Sequence, residues 1–350
     1  MNIKEILTEM SEKKASDVFI VAGLPITYRK NGNIENYSTQ NLMPDDTKTL
    51  LSEIYHLAND RDIKRVLDNG DDDFSFAIPG VARFRVSAYM QRGSLAAVLR
   101  VIAFELPDYT QLNIPKEIID LGNDSSGMVL VTGPAGSGKS TTLACIIDMI
   151  NKSCRKHIIT IEDPIEYLHR HNKSIVSQRE LNLDTASFAS ALRATLRQSP
   201  DVIMLGEMRD YETISISMTG AETGHLVLSS LHTIGASNTI DRIIDVFPAN
   251  QQHQIAVQLS CTLNAVVSQQ LLPTVDGGIV PAFEIMHVTP AIRNMIRDGK
   301  IFQLDGAIFS SNGNGGMLSM DASIQKLYRQ GIITRETALM FASNPDRLGI

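Results

Sequence analysis

Residues 133–141 read Gly133-Pro134-Ala135-Gly136-Ser137-Gly138-Lys139-Ser140-Thr141, with the spacing of a phosphate-binding loop: a glycine, a gap, then Gly-Lys-Ser. The glycines permit backbone angles closed to other residues and let amides converge on an anion. A helix starting at the end of the loop adds its partial positive charge to the same point. Lys139 would then contact the β- and γ-phosphates, and Ser140 would place its hydroxyl on Mg2+. The motif counts only in the context strand, loop, helix. Here Met128-Val129-Leu130-Val131-Thr132 reads as a short buried strand, and Thr142–Ile150 continues as a helix without a breaker. This stretch is expected to bind a nucleoside triphosphate.

Hydrolysis of a γ-phosphate needs charge neutralisation, a positioned water and stabilisation of the equatorial oxygens. Two acids are available beyond the loop. Glu207 ends the apolar run Asp201–Gly206 in the manner of a Walker B acid, and would hold Mg2+ directly or through water. Glu162, or its neighbour Asp163, could orient or deprotonate the attacking water; the bland alternative is a surface acid after a strand. Asp201 stands at the start of its strand and reads as a structural cap. His225 and His232 lie seven residues apart on one strand, about 23 Å at the usual rise, so they are no metal pair. Each could sense the γ-phosphate or simply hydrogen-bond at a strand end.

The elements that must position these groups alternate strand and helix from about residue 124, the pattern of an α/β domain with a mostly parallel sheet. Strands are expected at 157–161, 201–207 and 225–232, with a helix at 187–197 capped by Thr185 or Ser187. Such sheets bind ligands beyond the carboxyl ends of their strands, where the glycine loop, Glu162 and Glu207 all fall. Residues 248–272 read as helix, Ala291–Asp298 as a short helix, and Asn312–Gly316 as a flexible loop. Two small helices follow near 320–330 and 335–343, separated by Gly331 as C′ and Thr334 as N-cap. Ahead of this lies a smaller α+β domain, residues 1–107: a helix at 3–14, a strand at 16–21, a hairpin turned at Asn31-Gly32, and helices from Pro44 and near 60–67. Asp71-Asp72-Asp73 reads as a solvated acidic turn, and Ala82–Gln91 and Leu95–Ile102 as strands joined at Arg92-Gly93-Ser94. Those strands and their turn carry Arg83, Arg85, Arg92 and Arg100, which form a solvated sheet face or hairpin rim, or serve a ligand. Residues 108–123 read as the interdomain linker, with a short helix near 115–121, and 124–350 as the second domain with its C-terminal helices.

The 350 residues, 43% hydrophobic and 20% charged, are ordinary for a globular protein of about two domains. A net charge of -7 and the absence of tryptophan speak against a nucleic-acid strand as the main partner. Cys145, Cys154 and Cys261 form no CxxC pair, which fits a reducing compartment and offers no zinc site. No signal-peptide pattern and no apolar run of membrane-spanning length occurs, so a soluble, intracellular protein is expected.

Several further segments carry a resemblance. Ile159–Tyr167, reading ITIEDPIEY, is similar to the acidic box of the secretion-superfamily hexameric ATPases. DVIMLGEMRD at 201–210 resembles their Walker B segment, and TGHLVLSSLHT at 223–233 their histidine box. Ala291-Ile292-Arg293-Asn294-Met295-Ile296-Arg297-Asp298 resembles the AIRNLIRE motif of the type IV pilus retraction (twitching-motility) ATPases. The likeness spans about residues 14–345. It implies a RecA-like P-loop domain preceded by a PAS-like domain, ATP and Mg2+ as ligands, and a homohexameric motor that powers pilus retraction. It also implies Glu162 as general base, Glu207 as Walker B acid, His232 in the catalytic set, and Arg85 and Arg100 completing the ATP site. The implied partners are an inner-membrane pilus platform protein and a paralogous retraction ATPase. The implied location is the cytoplasmic face of the inner membrane, with no direct nucleic-acid contact. The chain departs from the family at Ala135, usually threonine, and at Met295 and Asp298.

Ile292, Met295 and Ile296 share one helix face and Arg293 and Arg297 another, so residues 291–298 form either an amphipathic surface helix or, as the family uses it, the element coupling hydrolysis to movement. The rival identities are an auxiliary retraction ATPase, a pilus-extension or type II secretion ATPase, a RecA-like nucleic-acid translocase, and a nucleotide switch without turnover. The extension motors usually carry a tetracysteine zinc insertion, which this chain lacks.

Overall fold

The structure is a computed structural model describing residues 2–30, 32–102, 106–312 and 315–349. The expected turn residue Asn31, and Gly313 and Asn314 of the expected loop, lie outside the described residues. The chain divides into two compact units, Met1–Leu106 with Glu166–Leu168, and Pro107–Ile165 with His169–Ile350.

The first unit comprises α1 (Ile3–Glu12), β1 (Asp17–Ile20), β2 (Thr27–Lys30), β3 (Asn33–Asn36), α2 (Pro44–Leu57), α3 (Lys64–Asn69), β4 (Asp71–Ile78), β5 (Ala82–Gln91) and β6 (Ser94–Ile102). The six strands form one antiparallel sheet in the order β3-β2-β1-β6-β5-β4. Helix α1 buries Ile3, Ile6, Leu7 and Met10 at helical spacing, and Pro44 opens α2 at its first position, with Asp46 accepting the Met43 amide proton. On β5 the side chains alternate from Ala82 to Ala88: Ala82, Phe84, Val86 and Ala88 are buried, while Arg85 and Ser87 face outward. The β5–β6 hairpin turns through Arg92 and Gly93, both at positive φ, as a two-residue turn requires.

One expectation fails here. Asp71-Asp72-Asp73 is no turn but the start of β4, a strand absent from the sequence reading. Alternation sends Asp71 and Asp73 to solvent and Asp72 inward, where Arg61 Nε and Nη2 donate to its two oxygens at 2.8 and 2.6 Å and Tyr55 Oη donates at 3.0 Å. The buried charge is tolerable because it is paired and hydrogen-bonded.

The second unit starts earlier than residue 124. The short helix expected near 115–121 is α4 (Lys116–Asp120), and Gly122 beside it lies so close to the helix that follows the phosphate loop that a Cβ would meet Met149, Ile150 and Ile146 at 2.8–3.0 Å. Then come β7 (Gly127–Thr132), α5 (Lys139–Ser153), β8 (His157–Glu162), β9 (Ile175–Glu180), α6 (Phe188–Thr195), β10 (Val202–Leu205), α7 (Tyr211–Glu222), β11 (Leu226–Leu231), α8 (Ala236–Asp245), α9 (Gln252–Thr262), β12 (Leu263–Pro273) and β13 (Ile279–His287). The chain closes with α10 (Pro290–Arg297), α11 (Leu304–Ser310), α12 (Met320–Arg329) and α13 (Arg335–Phe341). The sheet order is β13-β12-β7-β11-β10-β8-β9, parallel except for β13. Strands β7, β10 and β11 are buried on both faces, as a sheet covered by helices demands. Met128 and Leu130 share one core with residues of α6 through α11; α5, which also contacts β7 and β11, takes the opposite face. The α/β class with a mostly parallel sheet is the one expected.

A second correction concerns 248–272. The helix α9 stops at Thr262, and residues 263–272 form most of β12, hydrogen-bonded to β7 on one side and β13 on the other. Burial on both faces removes the alternation that marks a strand, so the apolar run passes for helix. Elements β9, α7, α8, β13 and α11 also went unread.

Candidate nucleotide-binding site

Four parallel strands end at one rim and each delivers a functional group there. Strand β7 runs into Gly133, β8 ends in Glu162, β10 leads through Gly206 to Glu207, and β11 leads to His232. The loop residues Gly133, Gly136 and Gly138 take φ values of 143°, 77° and 87°. A Cβ at Gly133 would lie 2.2 Å from the Gln269 carbonyl oxygen, and one at Gly138 2.9 Å from Gln269 Nε2. Helix α5 starts at Lys139 with Gly138 as its N-cap, so its unpaired amides open onto the loop.

Lys139 Nζ donates to the carbonyls of Gly133 and Pro134, both at 2.9 Å, and stands 3.5 Å from His232 Nδ1. His232 Nε2 lies 3.1 Å from one Glu207 oxygen, and Arg209 Nη2 lies 2.5 Å from the other. Lys139, His232, Glu207 and Arg209 therefore form one connected series. Burial lowers the Lys139 pKa, and the Glu207 carboxylate works against that shift. The exit of β10 is knitted to β11 by Ser230 Oγ donating to the Gly206 carbonyl at 2.6 Å and by Met208 N donating to the Ser230 carbonyl at 3.1 Å.

Glu162 is buried next to this segment: Gly206 N donates to the Ile161 carbonyl, and a Cβ on Gly206 would lie 3.5 Å from Glu162 Cα. Its Oε1 accepts from Thr160 Oγ1 at 2.7 Å and Gln178 Nε2 at 3.1 Å. Asp163, the alternative base, is exposed.

The two histidines separate cleanly. His225 sits at the opposite end of β11, with Nδ1 2.9 Å from the Gly220 carbonyl, and ties the strand's start to α7. Asp201 is the cap expected, accepting the His157 amide proton at 2.7 Å. In the first unit Arg85 and Arg100 stand directly opposite each other on β5 and β6, both exposed, and Arg100 Nε lies 3.2 Å from Asp17 Oδ1. Helix α10 buries Ile292 and Ile296, half-buries Met295, and exposes Ala291, Arg293, Asn294 and Arg297, with Asp298 beyond its end; Thr289 caps it.

The sequence reading missed Gln269, Arg209, Thr160 and Gln178. Arg209 lies inside the Walker B segment and its charge beside Glu207 was there to be noticed. Gln269 was hidden by the helical reading of β12.

The loop fits a phosphate chain. Gly133 and Gly138 occupy positions where a side chain would collide, the Ser137 hydroxyl is buried without a hydrogen-bond partner among the described residues, and Lys139 brings a cation. Ser140 and Glu207 supply the oxygen donors that Mg2+ prefers.

A family model described as "Type II/IV secretion system protein" matches residues 1–292. The chain is 44% identical over 346 residues to the type IV pilus retraction ATPase PilT of Pseudomonas aeruginosa, covering 99% of each. It is 44% identical over 321 residues to a twitching motility protein of Neisseria gonorrhoeae, covering 91% of this chain and 85% of that one. Among solved structures, the pilus retraction motor PilT with bound ADP superposes with a TM-score of 0.91 at 45% identity, over 100% of this chain and 99% of the other. Among the described residues no helix is long and apolar enough to cross a membrane. The family expected from the acidic, Walker B and histidine boxes is the one found: the chain belongs to the Type II/IV secretion system protein family, and within it to the pilus retraction ATPases.

Proposed function

We propose that this chain hydrolyses ATP to retract type IV pili. It works as a homohexamer at the cytoplasmic face of the inner membrane, acting on a platform protein of the pilus machine and alongside a paralogous retraction ATPase where the cell has one. The observation that carries the reading is the series Lys139–His232–Glu207 beside the phosphate-binding loop, in a chain that matches retraction ATPases from end to end.

In this reading the loop amides and Lys139 hold the β- and γ-phosphates of ATP. Mg2+, held by the Ser140 hydroxyl and the Glu207 carboxylate directly or through water, supplies charge neutralisation on the phosphate oxygens. Glu162 takes up or orients the proton of the attacking water. His232, touching both Lys139 and Glu207, registers the γ-phosphate. Arg85 and Arg100 are assigned to the charge that develops on the transferred phosphoryl group, which guanidinium forks suit. Helix α10, whose arginines face outward, couples the cycle to the pilus machine.

Deleting the gene should leave cells with excess pili that do not retract. Wild-type protein should restore retraction, and Lys139→Ala, which loses a charge-assisted phosphate contact, should not. Normal twitching in the deletion strain, or rescue by the Lys139 variant, would reject the proposal.

A further inference from the structure

Strand β12 runs parallel to β7 with Ser268 level with Thr132, so Gln269 comes level with Gly133 at the rim where β7 ends. Hydrogen-bonded to β7 and β13, β12 is an interior strand and a rigid support. Consecutive side chains on a strand point to opposite faces. Here each face meets a different part of the site.

Gln269 turns toward α5. It is buried, and its Oε1 accepts from the fully buried Thr142 Oγ1 at 2.7 Å, in the first turn after the loop. Its Nε2 lies against Gly138, and its backbone carbonyl against Gly133. One residue therefore braces the phosphate-binding loop at its beginning, at its last glycine and at the helix that follows. Ser268 turns toward α8. Its Oγ accepts from Gly235 N at 2.9 Å. Glu284, directly opposite Ser268 on β13, accepts from Ala236 N at 2.8 Å. Gly235 and Ala236 end the short loop that begins at His232.

We propose that Ser268 and Gln269 are positioning residues for ATP hydrolysis: Gln269 sets the phosphate-binding loop, and Ser268, with Glu284, sets the loop that carries His232. Two short tethers from neighbouring positions on one strand thus fix the 3.5 Å approach of Lys139 and His232. The inference rests on the reading of this site as an ATPase centre, and it predicts opposite kinetic signatures for adjacent residues, which a merely structural role would not produce.

Purified full-length variants would be compared by steady-state ATP hydrolysis, ADP binding and thermal midpoint. Gln269→Ala should raise KM for ATP and Kd for ADP together by about tenfold, the scale of one orphaned buried hydrogen-bond partner, with kcat kept within about twofold. Thr142→Val should reproduce that effect, and the double variant should bind no more weakly than either single one, because both remove the same bond. Ser268→Ala should show the reverse split: kcat lower by about tenfold, and ADP binding within about twofold of wild type. Either residue failing to show its own split overturns its half of the proposal. Parallel losses of kcat and affinity that track a lowered thermal midpoint overturn both halves and make the bonds structural. If the wild-type protein itself fails to hydrolyse ATP, the functional reading fails first, and that outcome is separate from any behaviour of the variants.

Discussion

Replacing Glu162 by glutamine separates what this side chain does for the fold from what it does for the reaction. Its Oε1 accepts from Thr160 and Gln178, and a glutamine amide oxygen in the same place accepts both. As far as these two bonds are concerned, the substitution should cost no more than about 1 kcal/mol. Alanine instead leaves the fully buried Thr160 hydroxyl and the half-buried Gln178 amide without that acceptor. Removing the acceptor of a buried donor costs about 1–3 kcal/mol, and the Thr160 hydroxyl is fully buried, so Glu162→Ala should cost about 1–3 kcal/mol. For the reaction the order reverses. An amide cannot take the proton of the attacking water, and loss of a general base or of water positioning costs on the order of 10²–10⁴ in rate, or roughly 3–5.5 kcal/mol of barrier. Urea unfolding, fluorescent-nucleotide binding and single-turnover hydrolysis measure the three quantities separately. A Glu162→Gln protein that folds, binds ATP and still turns over within about threefold of wild type would remove Glu162 from the chemistry. The role would then fall to Asp163 or Glu207.

Two further outcomes follow from named contacts. At Asp72 burial works to raise the carboxyl pKa, but hydrogen bonds from Arg61 and Tyr55 and the Arg61 charge outweigh it and hold the group below the ordinary carboxylate range. Its stabilisation is thus complete above the unfolded-state pKa and is lost as pH falls through the folded one. Asp72→Asn should cost about 2–3 kcal/mol at pH 7, less than a fully buried pair because Arg61 reaches solvent, and its urea-unfolding gap to wild type should narrow below about pH 4; a constant gap would refute the assignment. Arg293→Ala with Arg297→Ala removes two exposed charges from α10, whose surface changes should cost no more than about 0.5 kcal/mol each, so folding and ATP turnover should persist while twitching motility is lost at matched protein levels. Normal motility would make α10 a structural helix and leave coupling to another surface.

What could be read from the sequence, and what could not, divides along the range of the interactions involved. Strand β7, the glycine loop and α5 were legible because strand, loop and cap are contiguous and each glycine answers a local need. The faces of α10, the Arg92-Gly93 turn, and the pair Gly331 and Thr334 between α12 and α13 were legible for the same reason. The start of β4 was not, because an Asp-Asp-Asp run is a turn signal unless something distant pairs with its middle residue, and Arg61 does. The choice between His225 and His232 needed no new signal: once β11 is placed parallel to β7, only His232 can stand at the carboxyl rim. Strand β12 is the harder case. Its polar residues Ser268 and Gln269 interrupt an apolar run buried on both faces, and in isolation they look like the solvent side of a helix. Their burial makes sense only through partners on two other segments, Thr142 after the phosphate loop and Gly235 after His232. Motifs that bind phosphate announce themselves locally. The strand that holds two such motifs in register reveals itself only through the tertiary contacts that satisfy its buried polar groups.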